Sequence, residues 1–190
     1  MVRIHLSDGS SCIVPSELAA RDDIHAGTTL TPEQLQSLSR RAERLLARRA
    51  ALRLLARASH TRAGLARKLS ARGFGADAVR RALDRMAALG YLDDRRFAEA
   101  WLRSRMASST DGFKALYRGL LRRGVSRSVA EAAVAESCPE EEELVRALRL
   151  SQRLSPRSIA ARLVSRGYRS RTIARVLKEL RSTTPPDGEG

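Results

Sequence analysis

Few residues of this 190-residue chain combine a type and a spacing that could perform catalysis or hold a metal. Asp93 and Asp94 are adjacent within Gly90-Tyr91-Leu92-Asp93-Asp94-Arg95-Arg96-Phe97-Ala98. Paired carboxylates can ligate a divalent cation or exchange a proton with a substrate. Here no other carboxylate, histidine or glycine-rich loop accompanies them at a recognisable spacing. The preferred reading is therefore capping of the helix that follows. His5, His25 and His60 are scattered, and Cys12 and Cys138 have neither a C-x-x-C partner nor a local base. Zinc ligation, a disulfide framework and a thiol nucleophile are all unsupported, and a reducing cytoplasm is the expected compartment. No G-x-x-x-x-G-K loop is present to cradle a nucleotide phosphate. We expect no enzyme, no catalytic residue, no metal and no cofactor.

The remaining chemistry is positive charge. Lysine and arginine number 36 against 21 acidic residues, for a net charge of +15, and all but Lys68, Lys114 and Lys178 of the basic residues are arginine. Residues 1–35 set Arg3 and Arg21 against Asp8, Glu17, Asp22, Asp23 and Glu33, a net of −3, so the rest of the chain carries +18. A field of that sign draws phosphates or acidic protein surfaces. Three Arg-Gly steps recur: Arg72-Gly73, Arg123-Gly124 and Arg166-Gly167. Each glycine ends a helix in the left-handed conformation that only glycine adopts cheaply. Each arginine either neutralises that helix end or contributes to a row of cations facing a partner.

These steps also expose an internal repeat. Four residues before each glycine stands Leu69, Leu120 or Leu163, and eight before stands Leu65, Leu116 or Ile159. Six after stands Val79, Ala130 or Ile173, and ten after stands Leu83, Val134 or Leu177. Helical start signals divide the units further. Thr31-Pro32-Glu33-Gln34 is a capping box with proline at the first helical position, and Asp94, Asp111, Ser126, Ser155 and Ser170 sit where an N-cap is wanted. Pro139 opens a helix whose first turn, Glu140 to Glu143, suits the macrodipole. The expected helices span 32–58, 61–72, 76–89, 94–107, 112–123, 127–136, 139–153, 156–166 and 170–181, with Leu35, Leu38, Leu45 and Leu52 as the apolar stripe of the first. Val2-Arg3-Ile4-His5-Leu6 and Cys12-Ile13-Val14, joined through Ser7-Asp8-Gly9-Ser10, read as a β-hairpin that must lean on a helix.

The fold class is thus all-α, an elongated tandem array of three three-helix repeats with a short N-terminal β-hairpin. The expected domains are the hairpin extension at 1–31, repeats at 32–91, 92–137 and 138–182, and a frayed tail at 183–190. Tyr91, Phe97 and Trp101 are read as core rather than base-stacking platforms. No signal peptide or membrane span is expected. Arg67, Arg118 and Arg122 fall opposite the buried leucines of their helices and should face outward. With Lys68, Arg72, Lys114, Arg123, Arg162 and Arg166 they form the candidate contact surface.

Gly90-Tyr91-Leu92-Asp93-Asp94 with Phe97-Ala98, set among three copies of the leucine and Arg-Gly pattern, resembles the RecX family of bacterial regulatory proteins over about residues 32–181. The acidic start around Asp8-Gly9 is similar to the N-terminal extension of many members. The resemblance implies a non-enzymatic, cytoplasmic monomer that lies in the groove of the RecA nucleoprotein filament. There it would restrain recombinase, ATPase and co-protease activities in DNA repair and the SOS response. The nine basic positions then become candidate RecA or DNA contacts, any binding of single- or double-stranded DNA being weak and salt-sensitive. The competing reading is an autonomous DNA-binding protein of helix-turn-helix units. It fits poorly with a chain that lacks asparagine and has only Gln34, Gln36 and Gln152 for base readout.

Overall fold

The computed structural model describes residues 1–6, 9 and 11–183; Ser7, Asp8 and Ser10 of the expected hairpin turn, and all of the expected tail but Thr183, lie outside the described residues. The chain divides into two compact units, Met1–Asp93 and Asp94–Gly190.

In the first unit, strands β1 (Val2–His5) and β2 (Ser11–Val14) pair antiparallel with Val2 opposite Val14 and Ile4 opposite Cys12. Two strands alone bury too little to persist in water. Their apolar side leans on α2 (Pro32–Leu55), where Val14 packs with Leu38 and Ala42. A short helix α1 (Ser16–Arg21), which the sequence reading did not anticipate, follows the hairpin at once and adds Leu18 to the same cluster. The capping box at the head of α2 forms as expected: Thr31 Oγ1 accepts from the Gln34 amide at 3.2 Å, and Gln34 Oε1 accepts from the Thr31 amide at 2.8 Å.

Helices α3 (Arg62–Ser70) and α4 (Ala76–Ala88) pack with α2 around Ala47, Ala50, Leu54, Leu65, Leu69 and Met86. The buried face of α2 departs from the expected heptad stripe. Leu52 is 38% exposed, whereas Ala47, Ala50 and Ala51 are buried. A straight helix drifts about 20° per seven residues against a heptad repeat, so a leucine two heptads beyond Leu38 has rotated off the seam. Small alanines take its place and admit a neighbouring helix.

The second unit holds α5 (Asp94–Ser108), α6 (Phe113–Arg122) and α7 (Arg127–Ser137) around Leu102, Leu116, Leu120 and Val134. It also holds α8 (Glu140–Ser151), α9 (Ile159–Ser165) and α10 (Ser170–Thr183) around Leu144, Leu163, Tyr168 and Val176. The helix expected from 156 begins instead as a 3₁₀ turn, Pro156–Ser158, before α9. The two columns before each glycine are core: Leu65, Leu116, Leu69, Leu120 and Leu163 are 0% exposed, and Ile159 is 5% exposed, while Ile173 and Leu177 of the later columns are half-buried. Gly73, Gly124 and Gly167 have φ of +87°, +87° and +78°. After each, an amide reaches back five residues: Phe74 to Leu69, Val125 to Leu120, Tyr168 to Leu163. This is the hydrogen-bond pattern of a Schellman stop, repeated three times.

Two further expectations are corrected. Tyr91 is 60% exposed, and Leu92, at 7%, takes the core place instead. Asp111 caps nothing; Gly112 occupies the N-cap position of α6, and Asp111 is spent on arginines. Phe97 and Trp101 do pack against the α5–α7 core.

Gly119, inside α6, lies so close to Trp101 that an added Cβ would overlap the indole ring. Glycine to alanine within a helix ordinarily stabilises by about 1 kcal/mol. Here overpacking should reverse the sign, and Gly119→Ala should lower the stability of the chain by about 1–3 kcal/mol in urea unfolding. A gain in stability would show that the indole moves away freely.

Candidate functional site

The second unit is organised around a carboxylate that the sequence disguised. Of four consecutive glutamates opening α8, only Glu143 is buried, at 0% exposed, together with Leu144, Ala147 and Ser151. Its Oε1 accepts from the Phe113 amide at 2.8 Å and the Arg169 amide at 3.2 Å, and its Oε2 accepts from Thr172 Oγ1 at 2.8 Å. Helix N-termini present unpaired amides and positive dipole ends, so one anion here serves α6 and α10 together. Arg169 approaches Glu143 at 3.7 Å, and its guanidinium lies 3.8 Å over the Phe113 ring. A buried carboxylate with this set of partners stays satisfied rather than orphaned.

The turn after α9 completes the junction. The Gly112 amide donates to Arg166 O at 3.0 Å, the Lys114 amide donates to Gly167 O at 2.8 Å, and the Tyr168 hydroxyl donates to Thr110 O at 2.9 Å. Backbones approach so closely that a Cβ at Gly112 would stand 2.6 Å from Tyr168 Cα. Burial raises the Tyr168 hydroxyl to about 12. Burial, and then the charge of Glu143, raises the Cys138 thiol to about 11.

Around this junction the arginines gather. Asp111, 8% exposed, pairs with Arg105 at 2.6 Å and with Arg166 at 3.5 Å. Arg146 donates to Met106 O at 3.0 Å and to Ser109 O at 2.6 Å, tying α8 to the end of α5. One cleft of about 670 Å³ is lined by Arg105, Arg146, Arg149, Arg153 and Arg166, with the 106–110 segment and Leu150. A second, of about 360 Å³, is lined by Trp101, Arg105, Asp111, Arg118, Arg122 and Arg123. Arg105 belongs to both.

Of the nine basic positions singled out in the sequence, the structure brings Arg118, Arg122 and Arg123 into one cleft and Arg166 into the other. Lys114 and Arg162 are exposed in the same unit without lining either cleft. Arg67, Lys68 and Arg72 are exposed on and just beyond α3 in the first unit. Arg123 also does what a helix-end cation should: it donates to Gly119 O at 3.0 Å and covers the Trp101 ring at 4.5 Å. Arg146, Arg149 and Arg153 were missed, although their i, i+3, i+7 spacing puts them on one helical face. Arg105 and the role of Glu143 were missed as well. Among the described residues, no group of three histidine, cysteine or acidic side chains could hold a metal ion, and no helix is long and apolar enough to cross a membrane.

Comparison with known proteins gives one answer. The model of RecX, first three-helix domain, matches residues 47–86, and that of RecX, second three-helix domain, matches residues 93–134. The chain is 38% identical over 152 residues to the regulatory protein RecX of Mycobacterium leprae, covering 74% of this chain and 88% of that protein. It is 35% identical over 150 residues to the regulatory protein RecX of Mycolicibacterium smegmatis, covering 72% and 79%. A crystal structure of RecX from Lactobacillus salivarius superposes with a TM-score of 0.69 at 20% identity, covering 74% of this chain and 97% of that one. A second RecX crystal structure gives 0.70 at 17% identity, covering 91% and 92%. These two similarities establish the fold.

Replacing Glu143 by alanine strands two helix-end amides and a threonine hydroxyl in a buried place. The expected loss is about 3–5 kcal/mol in the stability of the chain, read by urea unfolding; a loss within experimental error would remove Glu143 from its organising role. Cys138 supplies a second check. With its thiol pushed up to about 11, the thiolate fraction rises only as pH approaches that value. Native chain at pH 8 should therefore alkylate at Cys12 while Cys138 reacts only after unfolding, as mass spectrometry of iodoacetamide-treated protein would record.

Proposed function

This chain belongs to the RecX family, and from that membership we propose that it binds the RecA recombinase on its nucleoprotein filament and restrains it. The relatives it matches carry the name of a regulatory protein. The finer reading is that this chain lowers the recombinase, ATPase and co-protease activities of RecA, in the cytoplasm, during DNA repair and the SOS response. It acts by occupancy and performs no chemistry of its own.

The observation that supports this most is the grouping of Arg105, Arg118, Arg122 and Arg123 in one cleft on the unit in which Glu143 bonds to the starts of α6 and α10. Long cationic side chains fixed on helices offer a preorganised surface to an acidic protein or to phosphate. We take the working division to be a hairpin extension at 1–31 and three modules at 32–91, 92–137 and 138–182, each bearing some of the nine basic positions. Several weak contacts made at once by one chain gain strength through effective concentration. Contact with DNA on the filament is weak, and loosens as salt rises.

Arg118 and Arg122 are exposed, and outside the core of α6. The double substitution Arg118→Glu, Arg122→Glu should leave helicity unchanged and raise the concentration that half-inhibits RecA ATP hydrolysis on single-stranded DNA by about tenfold, or about 1.4 kcal/mol. Unchanged inhibition would clear that face, and no inhibition by the unaltered chain at saturation would reject the reading.

A further inference from the structure

We propose that the 670 Å³ cleft between α5, α8 and α9 binds a chain of linked phosphates, such as that of a nucleoside triphosphate or of inorganic polyphosphate. The volume lies within the roughly 300–1,000 Å³ typical of small-molecule sites. Five arginines line it, and its lining contains no carboxylate. Like charges converging on a concave space repel one another, and a dense anion relieves that repulsion.

The five are of two kinds. Arg105 and Arg166 are held by Asp111, and Arg146 by the carbonyls of Met106 and Ser109, so three guanidinium groups are already in place before any ligand arrives. Preorganisation of this sort lowers the ordering cost of binding. Arg146 meets carbonyl oxygens but no carboxylate, and its Nε is buried without a hydrogen-bond partner. Arg149 and Arg153 are exposed and, among the described residues, have no ion pair or side-chain hydrogen bond. They are the two cations free to close on a ligand.

Charge density selects the ligand. A triphosphate presents its whole charge within the reach of a few guanidinium forks, whereas three consecutive acidic residues spread theirs along about 10 Å of extended backbone. A nucleic-acid strand is disfavoured here because strand-binding grooves interleave cations with stacking aromatics, and no aromatic side chain lines this cleft. With no carboxylate in the lining to share a magnesium ion, the chain of phosphates binds as the metal-free anion. Bound, it joins three helices of the second unit and stabilises the folded state by mass action.

Thermal unfolding of the full chain, without RecA, tests this directly with ATP, tripolyphosphate, AMP and a thymidine oligonucleotide as probes. Tripolyphosphate or ATP should raise the melting temperature saturably at micromolar to millimolar concentration, AMP much less, and excess magnesium should cancel the shift. The double substitution Arg149→Glu, Arg153→Glu should abolish the shift while leaving the ligand-free melting temperature within about 2 °C, since neither side chain has a partner to lose. Should that variant unfold, Arg149→Gln, Arg153→Gln serves, with titration calorimetry as the readout. ATP exceeding tripolyphosphate assigns the site to nucleotides, and the reverse to polyphosphate. Absence of any saturable shift, or a shift that survives the substitutions, overturns the proposal; so does an oligonucleotide-only shift that depends on Arg149 and Arg153, which would reassign the cleft to a nucleic-acid strand. Because RecA takes no part, failure here leaves the proposed filament-binding role untouched.

Discussion

One buried anion holds the second unit together. Glu143 sits where the start of α6, the start of α10 and the body of α8 meet, and both of its oxygens are used. Burying a carboxylate is costly unless donors replace water on every side. Here the donors are amides at two helix starts, of which that of α6 has no side-chain cap of its own. The cost and the need cancel: helix-start amides in need of an acceptor and a charge that lacks water satisfy each other.

The arginine clefts follow from that arrangement. Once α6 and α10 are fixed by Glu143, the turn after α9 must run against α6, and Arg166, Arg105 and Asp111 come together. Asp111 then spaces two guanidinium groups that would otherwise repel, and the 106–109 carbonyls hold a third. Two acidic residues of this unit, Glu143 and Asp111, are used inwardly, while Arg149 and Arg153 face the larger cleft. A net positive chain thereby gains a shaped positive surface rather than a diffuse one.

Much of the fold was legible because local chemistry decided it. The Thr31 capping box, the three glycine stops and the leucines spaced around them need only their own neighbours along the chain, and each formed as read. What failed were inferences in which a distant partner outcompetes a local one. Asp111 has the type and place of an N-cap, but two arginines from α5 and the end of α9 claim it. The leucine heptad on α2 was real as spacing, yet the helix period carried Leu52 out of the seam. Spacing did not single out Glu143: it lies one turn before the buried Ala147, but Glu140 lies one turn before the buried Leu144. Arg105 carried no mark either, because its place in both clefts depends on Asp111 and not on any pattern in α5. Of the nine basic positions, four line the clefts, and the more numerous cations of the larger cleft came from a face of α8 that had been read only for its acidic first turn.

The central claim is that one carboxylate closes two helices at once, and amide hydrogen exchange at Phe113 and Arg169 tests it most directly. In the unaltered chain both amides should exchange slowly and with similar protection, and both should lose that protection together in Glu143→Ala while amides of the α2–α4 core keep theirs. Fast exchange at either amide in the unaltered chain, or loss at one without the other, would contradict the account.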